Sequence, residues 1–191
     1  MAMSSTALSY LANTSLILFE LDRTLTEVSE AEVAAAQRAL VSARRVFISG
    51  AGRSVLAVKM AAMRLMHLGL TVHVAGEVTA PPIEADDLLV VASGSGTTPG
   101  AVHAAQVAIN AGARVLALTT APESSLGTLA HLVIVIPAAA KQDHGRTISE
   151  QYAGALFEQS VLLLMDAMFQ TMWHERGESA EQMWKRHANL E

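Results

Sequence analysis

Five short, nearly continuous apolar runs punctuate the middle of the chain: Val46-Phe47-Ile48, Val72-His73-Val74, Leu88-Leu89-Val90-Val91, Val115-Leu116-Ala117-Leu118 and Val133-Ile134-Val135-Ile136. Runs this short, without polar alternation, read as strands buried on both faces. Between them lie helical stretches, notably Ser54 to Leu68, Pro99 to Ala111 and a short Ser125 to Ala130. Strand and helix therefore alternate, which implies right-handed βαβ crossovers. The expected fold class is α/β, a three-layer αβα sandwich around a five-stranded parallel sheet.

Helical spacing also marks both flanks. Two leading helices are expected over about 5–43, from Thr6 to Phe19 and from Thr26 to Ala43, the second opened by Ser29 with Glu32 three residues later. After Pro137 comes a polar connection, then a long apolar helix from about Ile148 to His174 and a short polar one from Ser179 to about His187, so the closing helices span about 148–188. With 191 residues, 51 % of them hydrophobic, the chain can bury about two-thirds of its unfolded surface, and one domain over residues 1–191 is expected. The long helix is apolar on more than one face, and Leu16, Ile17, Leu18 and Phe19 are surplus to a one-domain core. Subunit contacts, and hence a homo-oligomer, account for both; a wholly intrachain sandwich is the alternative. The nine Met residues read as core gap-fillers.

A formal net charge of -5 and the absence of a Lys/Arg run exclude the electrostatic footprint of nucleic-acid binding, so a phosphorylated ligand must be held locally. No cysteine is present, which rules out disulfides and thiolate chemistry and fits a reducing cytoplasm. The N-terminal stretch lacks a basic n-region, and no apolar run approaches the roughly 20 residues that span a bilayer. No membrane association is expected. The seven histidines show no metal-ligand spacing, so no metal is expected either.

Open parallel sheets bind ligands beyond the C-terminal ends of their strands, and two loops there are unusual. One is Ser49-Gly50-Ala51-Gly52-Arg53-Ser54; the other is Ser93-Gly94-Ser95-Gly96-Thr97-Thr98-Pro99. In the second, glycines let the backbone turn its N–H groups inward, hydroxyls add donors, Thr98 can cap the next helix and Pro99 suits its first position. A phosphate there meets helix N–H groups and the positive end of the dipole. The first loop lacks the third glycine of a dinucleotide fingerprint, because Val55 takes its place, and no Lys makes the second a Walker A loop. Two donor-rich loops suit one compact phosphorylated molecule, with Gly52, Arg53, Ser54, Ser93, Gly94, Ser95, Thr97 and Thr98 as its binding residues. Arg53 belongs on the ligand side, or pairs with a carboxylate such as Glu77. A third strand end, Thr119-Thr120-Ala121-Pro122-Glu123-Ser124-Ser125, reads chiefly as a helix cap through Ser124.

Gly50-Ala51-Gly52-Arg53-Ser54, the stretch from Ala62 to Gly69, Gly76-Glu77, the Ser93 to Thr98 loop, Leu156-Phe157-Glu158 and the ending from Arg186 to Glu191 together resemble the 6-phospho-3-hexuloisomerases of the sugar isomerase (SIS) superfamily. That resemblance implies a flavodoxin-like SIS fold, no cofactor, a homotetramer, and conversion of a 3-hexulose 6-phosphate made by formaldehyde fixation into fructose 6-phosphate. Moving the carbonyl from C3 to C2 requires a base at the C2 proton, an enediol, and proton return to C3. With O6 phosphorylated, a 3-ketose cannot close a five-membered ring, so no ring-opening step is needed. Glu158 is the candidate carbon base, in an apolar setting expected to raise its pKa. His67 and His187, the two histidines inside the family-like motifs, are candidate acids. His187 can serve only if packed into a neighbouring subunit's crevice, and His67 reads equally as a cation at a helix C-terminus.

Overall fold

The computed structural model describes residues 9–141 and 147–190. All five apolar runs are strands: β1 Val46–Gly50, β2 Val72–Val74, β3 Leu88–Ala92, β4 Arg114–Thr119 and β5 Leu132–Val135. They form one parallel sheet in the order β2-β1-β3-β4-β5, so the strand order reverses at β1 and β3. Alternation sorts the strands' side chains. Val46, Ile48, Leu88, Val90, Leu116, Leu118 and Ile134 join the core on one face, and Phe47, Leu89, Val91, Val115 and Ala117 the core on the other.

The helices are α1 Tyr10–Thr26, α2 Glu30–Ser42, α3 Gly52–His67, α4 Pro99–Asn110, α5 Ser125–Leu129, α6 Ala155–Arg176 and α7 Ala180–Trp184. Helix α3 and the long α6 cover one face, joined there by α1 and α2, while α4 and α5 cover the other. Ser29 caps α2, accepting from the Glu32 N–H, but Glu32 reaches forward to the Val135 N–H and does not close the box. The crossover from β2 to β3 departs from the strict alternation. Residues 75–87 contain no helix, and Pro81-Pro82 there removes two N–H donors that one would need.

Two boundaries differ more. Helix α1 runs seven residues past Phe19, and α6 starts at Ala155, not Ile148. The preceding segment is held open by the buried Glu20 carboxylate of α1, which accepts from Ser149 Oγ, the Glu150 N–H and Gln151 Nε2. Burial alone would push that carboxyl up; these hydrogen bonds, with Arg23 nearby, hold it below the usual range.

Much of the long helix is covered within the chain, where Leu156, Phe157, Val161, Leu164, Met165, Met168, Phe169 and Met172 are all buried, while Leu163 is exposed. Further apolar surface is exposed on α1, at Tyr10, Leu11, Leu18 and Phe19, and on α3, at Leu56, Met60 and Met63. The Met residues accordingly divide between core and surface. No helix of the described residues is long and apolar enough to cross a membrane.

At the N-terminal edge of the sheet, the fully buried Asp87 carboxylate is gripped by Arg45 at 2.7 Å and Arg44 at 3.2 Å. Burial would push this carboxyl up, but Arg45, the Glu84 N–H and Arg44 outweigh it and hold it at about 2, against 3.8 ordinarily. A carboxyl depressed by folding stabilises the fold fully above its unfolded pKa, and that contribution fades as pH falls from about 4 toward 2. The depression is equivalent to about 2 kcal/mol. Urea denaturation at about pH 5.5 and about pH 2.5 should show an acid loss larger by this amount in the parent than in Asp87→Asn. Equal acid sensitivity would remove Asp87 from that role.

Candidate active site

Because every strand is parallel, the loops after β1, β3 and β4 gather at one edge of the sheet. Gly50 ends β1 where a Cβ would lie 3.0 Å from the Ala92 carbonyl, so only glycine lets the first loop approach the end of β3 this closely. The chain then enters α3 at Gly52, with φ +57°, which only glycine adopts freely. Arg53 follows with its side chain two-thirds exposed, and Ser54 with its side chain buried.

The second loop is organised by hydroxyl pairs. Ser93 Oγ and Thr98 Oγ1 lie 3.0 Å apart, while Ser95 Oγ accepts from both the N–H and the hydroxyl of Thr97, at 3.3 and 3.1 Å. Thr98 occupies the N-cap position and Pro99 the first turn as expected, but the Thr98 hydroxyl turns to Ser93 and makes no capping bond. The Ser93 carbonyl accepts from Gly96 N–H, and the Gly96 carbonyl from Leu126 N–H. Among the described residues, the amides of Gly94, Ser95 and Thr98 meet no protein acceptor. Carbonyls engaged and amides left over is the pattern of an anion cradle. Ser124 caps α5 by accepting from Gly127 N–H, and it presses on the loop so closely that a Cβ at Gly96 would fall 1.8 Å from its hydroxyl.

Glu158 comes to this edge from a distant part of the chain. Helices α3 and α6 run side by side in the same direction: Arg53 of the first turn of α3 donates to Glu158 of the first turn of α6 at 2.5 Å, and Arg176 at the far end of α6 donates to the Leu68 carbonyl. Phe157, one residue before Glu158, lies against Gly94, where a Cβ would sit 3.2 Å from its ring. The carboxylate is thus buried, with the Arg53 guanidinium as its ion-pair partner among the described residues and the anion cradle one residue away. Arg53 pairs with Glu158, and Glu77 with Lys59 at 2.6 Å.

His67 and His187 lie elsewhere. His67 is the last residue of α3, so within one chain it stands roughly 21 Å along the helix from Arg53. Its buried ring stacks on His187 at 4.8 Å, and His187 stacks in turn on Trp184 at 4.4 Å. Burial pushes the His67 imidazole below the ordinary histidine value, and repulsion from His187, Arg64 and Arg186 adds to this. Three contributors to this edge were not foreseen: Phe157 as the wall of Gly94, Glu20 as the anchor of the segment leading into α6, and Lys141, whose stem packs with Glu158 against Gly154. No local pattern marks any of them, since each acts on residues remote in sequence.

A family model described as SIS domain matches residues 39–163. A Mycobacterium gastri protein named 3-hexulose-6-phosphate isomerase is 55 % identical over 94 % of this chain and 90 % of its own length. One of the same name from Bacillus subtilis is 40 % identical over 92 % of this chain and 95 % of its own. The crystal structure of a hypothetical Methanococcus jannaschii protein, from which a 3-hexulose-6-phosphate isomerase function was inferred, superposes with a TM-score of 0.80 at 26 % identity, covering 94 % of this chain and 99 % of that one. The sheet order, the hydroxyl-lined loop and these similarities agree: the chain belongs to the SIS domain family, and within it to the 3-hexulose-6-phosphate isomerases.

Proposed function

We propose that the chain interconverts 3-hexulose 6-phosphate and fructose 6-phosphate through an enediol, as the second step of formaldehyde fixation. The 93–98 loop, with Gly52, Arg53 and Ser54, holds the phosphate, and Glu158 carries the proton between C2 and C3. One observation carries this reading: a buried carboxylate, paired among the described residues with Arg53, adjoins the residue that walls the anion loop. As base, Glu158 takes the C2 proton while the C2–H electrons form the C2=C3 double bond and O3 takes a proton. The return step delivers the proton to C3 while O2 gives up its own proton, leaving the carbonyl at C2 and the hydroxyl at C3. Arg53, donating to Glu158 in the resting site, is placed to follow the negative charge onto the enediol oxygens.

His67 and His187 exchange the oxygen protons only if supplied by a neighbouring subunit. The exposed apolar residues of α1 and α3 support such an assembly, a homotetramer in the cytoplasm. Supplying 3-hexulose 6-phosphate and following fructose 6-phosphate through a coupled assay tests the function. An aldose formed from fructose 6-phosphate would identify an aldose-ketose isomerase instead, and binding without turnover a sugar-phosphate sensor. Removing residues 187–191 should lower kcat at least tenfold if the terminal histidine acts across subunits; unchanged kinetics would dismiss it.

A further inference from the structure

We infer that Thr119 and Thr120, at the end of β4, are positioning residues of the phosphate loop, acting through the Gly94 carbonyl; this rests on reading that loop as an anion cradle. The Gly94 oxygen accepts three hydrogen bonds, from Thr119 Oγ1 at 3.1 Å, Thr120 Oγ1 at 2.9 Å and the Thr120 N–H at 3.0 Å. A carbonyl has two lone pairs, so this one is saturated. Thr119 has its own orientation settled, because its buried oxygen accepts from the Ala121 N–H at 3.2 Å and its proton is left for Gly94.

The consequence follows from the planar trans peptide. The Gly94 C=O and the Ser95 N–H belong to one rigid unit and point in opposite directions. Pinning the oxygen toward β4 turns the Ser95 N–H away from β4, and that amide has no protein acceptor among the described residues. If the carbonyl were released, rotation of the peptide would present an oxygen where the phosphate needs a donor. Phe157 closes the other side of Gly94, so the same residue sets the loop against the α6 turn that carries Glu158. Capping by Ser124 accounts for the β4–α5 connection but leaves the two threonines without a purpose, and this clamp supplies one.

Valine replaces threonine without changing shape. Thr120→Val, and the double variant Thr119→Val with Thr120→Val, should raise KM for 3-hexulose 6-phosphate about tenfold and more than tenfold respectively, with kcat within about threefold of the parent. The inhibition constant of inorganic phosphate should rise in parallel. Thr120→Ser, which restores the hydroxyl, should return both to within about twofold. Unchanged KM and phosphate inhibition in a folded variant, a fall in kcat alone, or no rescue by serine would each overturn the clamp. Thr120 is only half-buried, so Thr120→Val decides the matter even if the Thr119 variant fails to fold. A parent that neither binds phosphate nor is inhibited by it would bring down the cradle itself, and the clamp with it. That outcome differs from a parent that binds and variants that bind equally well.

Discussion

Glu158→Gln is expected to lower kcat about a thousandfold, within the 10²–10⁴ range of a positioned proton-transfer group, while KM moves by less than about threefold. Glutamine keeps the shape and the packing against Phe157 and Gly154 but cannot accept a proton from carbon. The fold should tolerate the change. Arg53 loses its anionic partner, yet its side chain is 66 % exposed and regains water at little cost. A second readout isolates the chemistry: in D₂O the parent should wash deuterium into C3 of fructose 6-phosphate, and the variant should not, even at high enzyme concentration. A variant that keeps normal turnover or exchange removes Glu158 from the base role.

What the chain reveals without its structure depends on how far apart the cooperating residues lie. The strands were legible because burial on both faces writes itself into consecutive residues such as Leu88 to Val91. The 93–98 loop was legible because its hydroxyls, glycines and Pro99 are contiguous and each has a local conformational reason. Ser124 could likewise be read as a cap, since a cap acts within three residues. Legibility stops where a contact spans the fold. The Arg53 to Glu158 pair joins residues 105 apart, and the carboxylate that the sequence offered as an example of a partner was Glu77. The late start of α6 depends on Glu20, more than 120 residues upstream, which outcompetes helix formation at 149–151. One reading of His67, as a helix-end cation, drew on its neighbours in sequence, which give no sign that His187 stacks on its ring. How much of α6 the helices α1, α2 and α3 cover is set by contacts between distant segments, which its own apolar pattern does not show.

Ser95→Ala combined with Thr98→Ala is expected to raise KM for the phosphorylated ketose about a hundredfold or more, with kcat changed less than about tenfold. A hydrogen bond to a charged group contributes about 1.5–3 kcal/mol, and every 1.4 kcal/mol is a factor of ten in affinity. The Ser95 hydroxyl has a proton to give. Ser95 Oγ accepts from the Thr97 N–H and hydroxyl, which leaves its own O–H to donate outward, and Thr98 shares one contact with Ser93. Helix α4 should survive the change, because the Thr98 side chain makes no capping bond and Pro99 still sets the first turn. Losing the hydroxyls also weakens the preference for phosphate, leaving the loop amides and Arg53 to supply what remains of it. The phosphorylated ketose should therefore lose much of its kcat/KM advantage over the unphosphorylated sugar, a change that general destabilisation would not produce. If KM and inhibition by inorganic phosphate both stay at parental values in the double variant, the dianion is held elsewhere and the loop is only a turn.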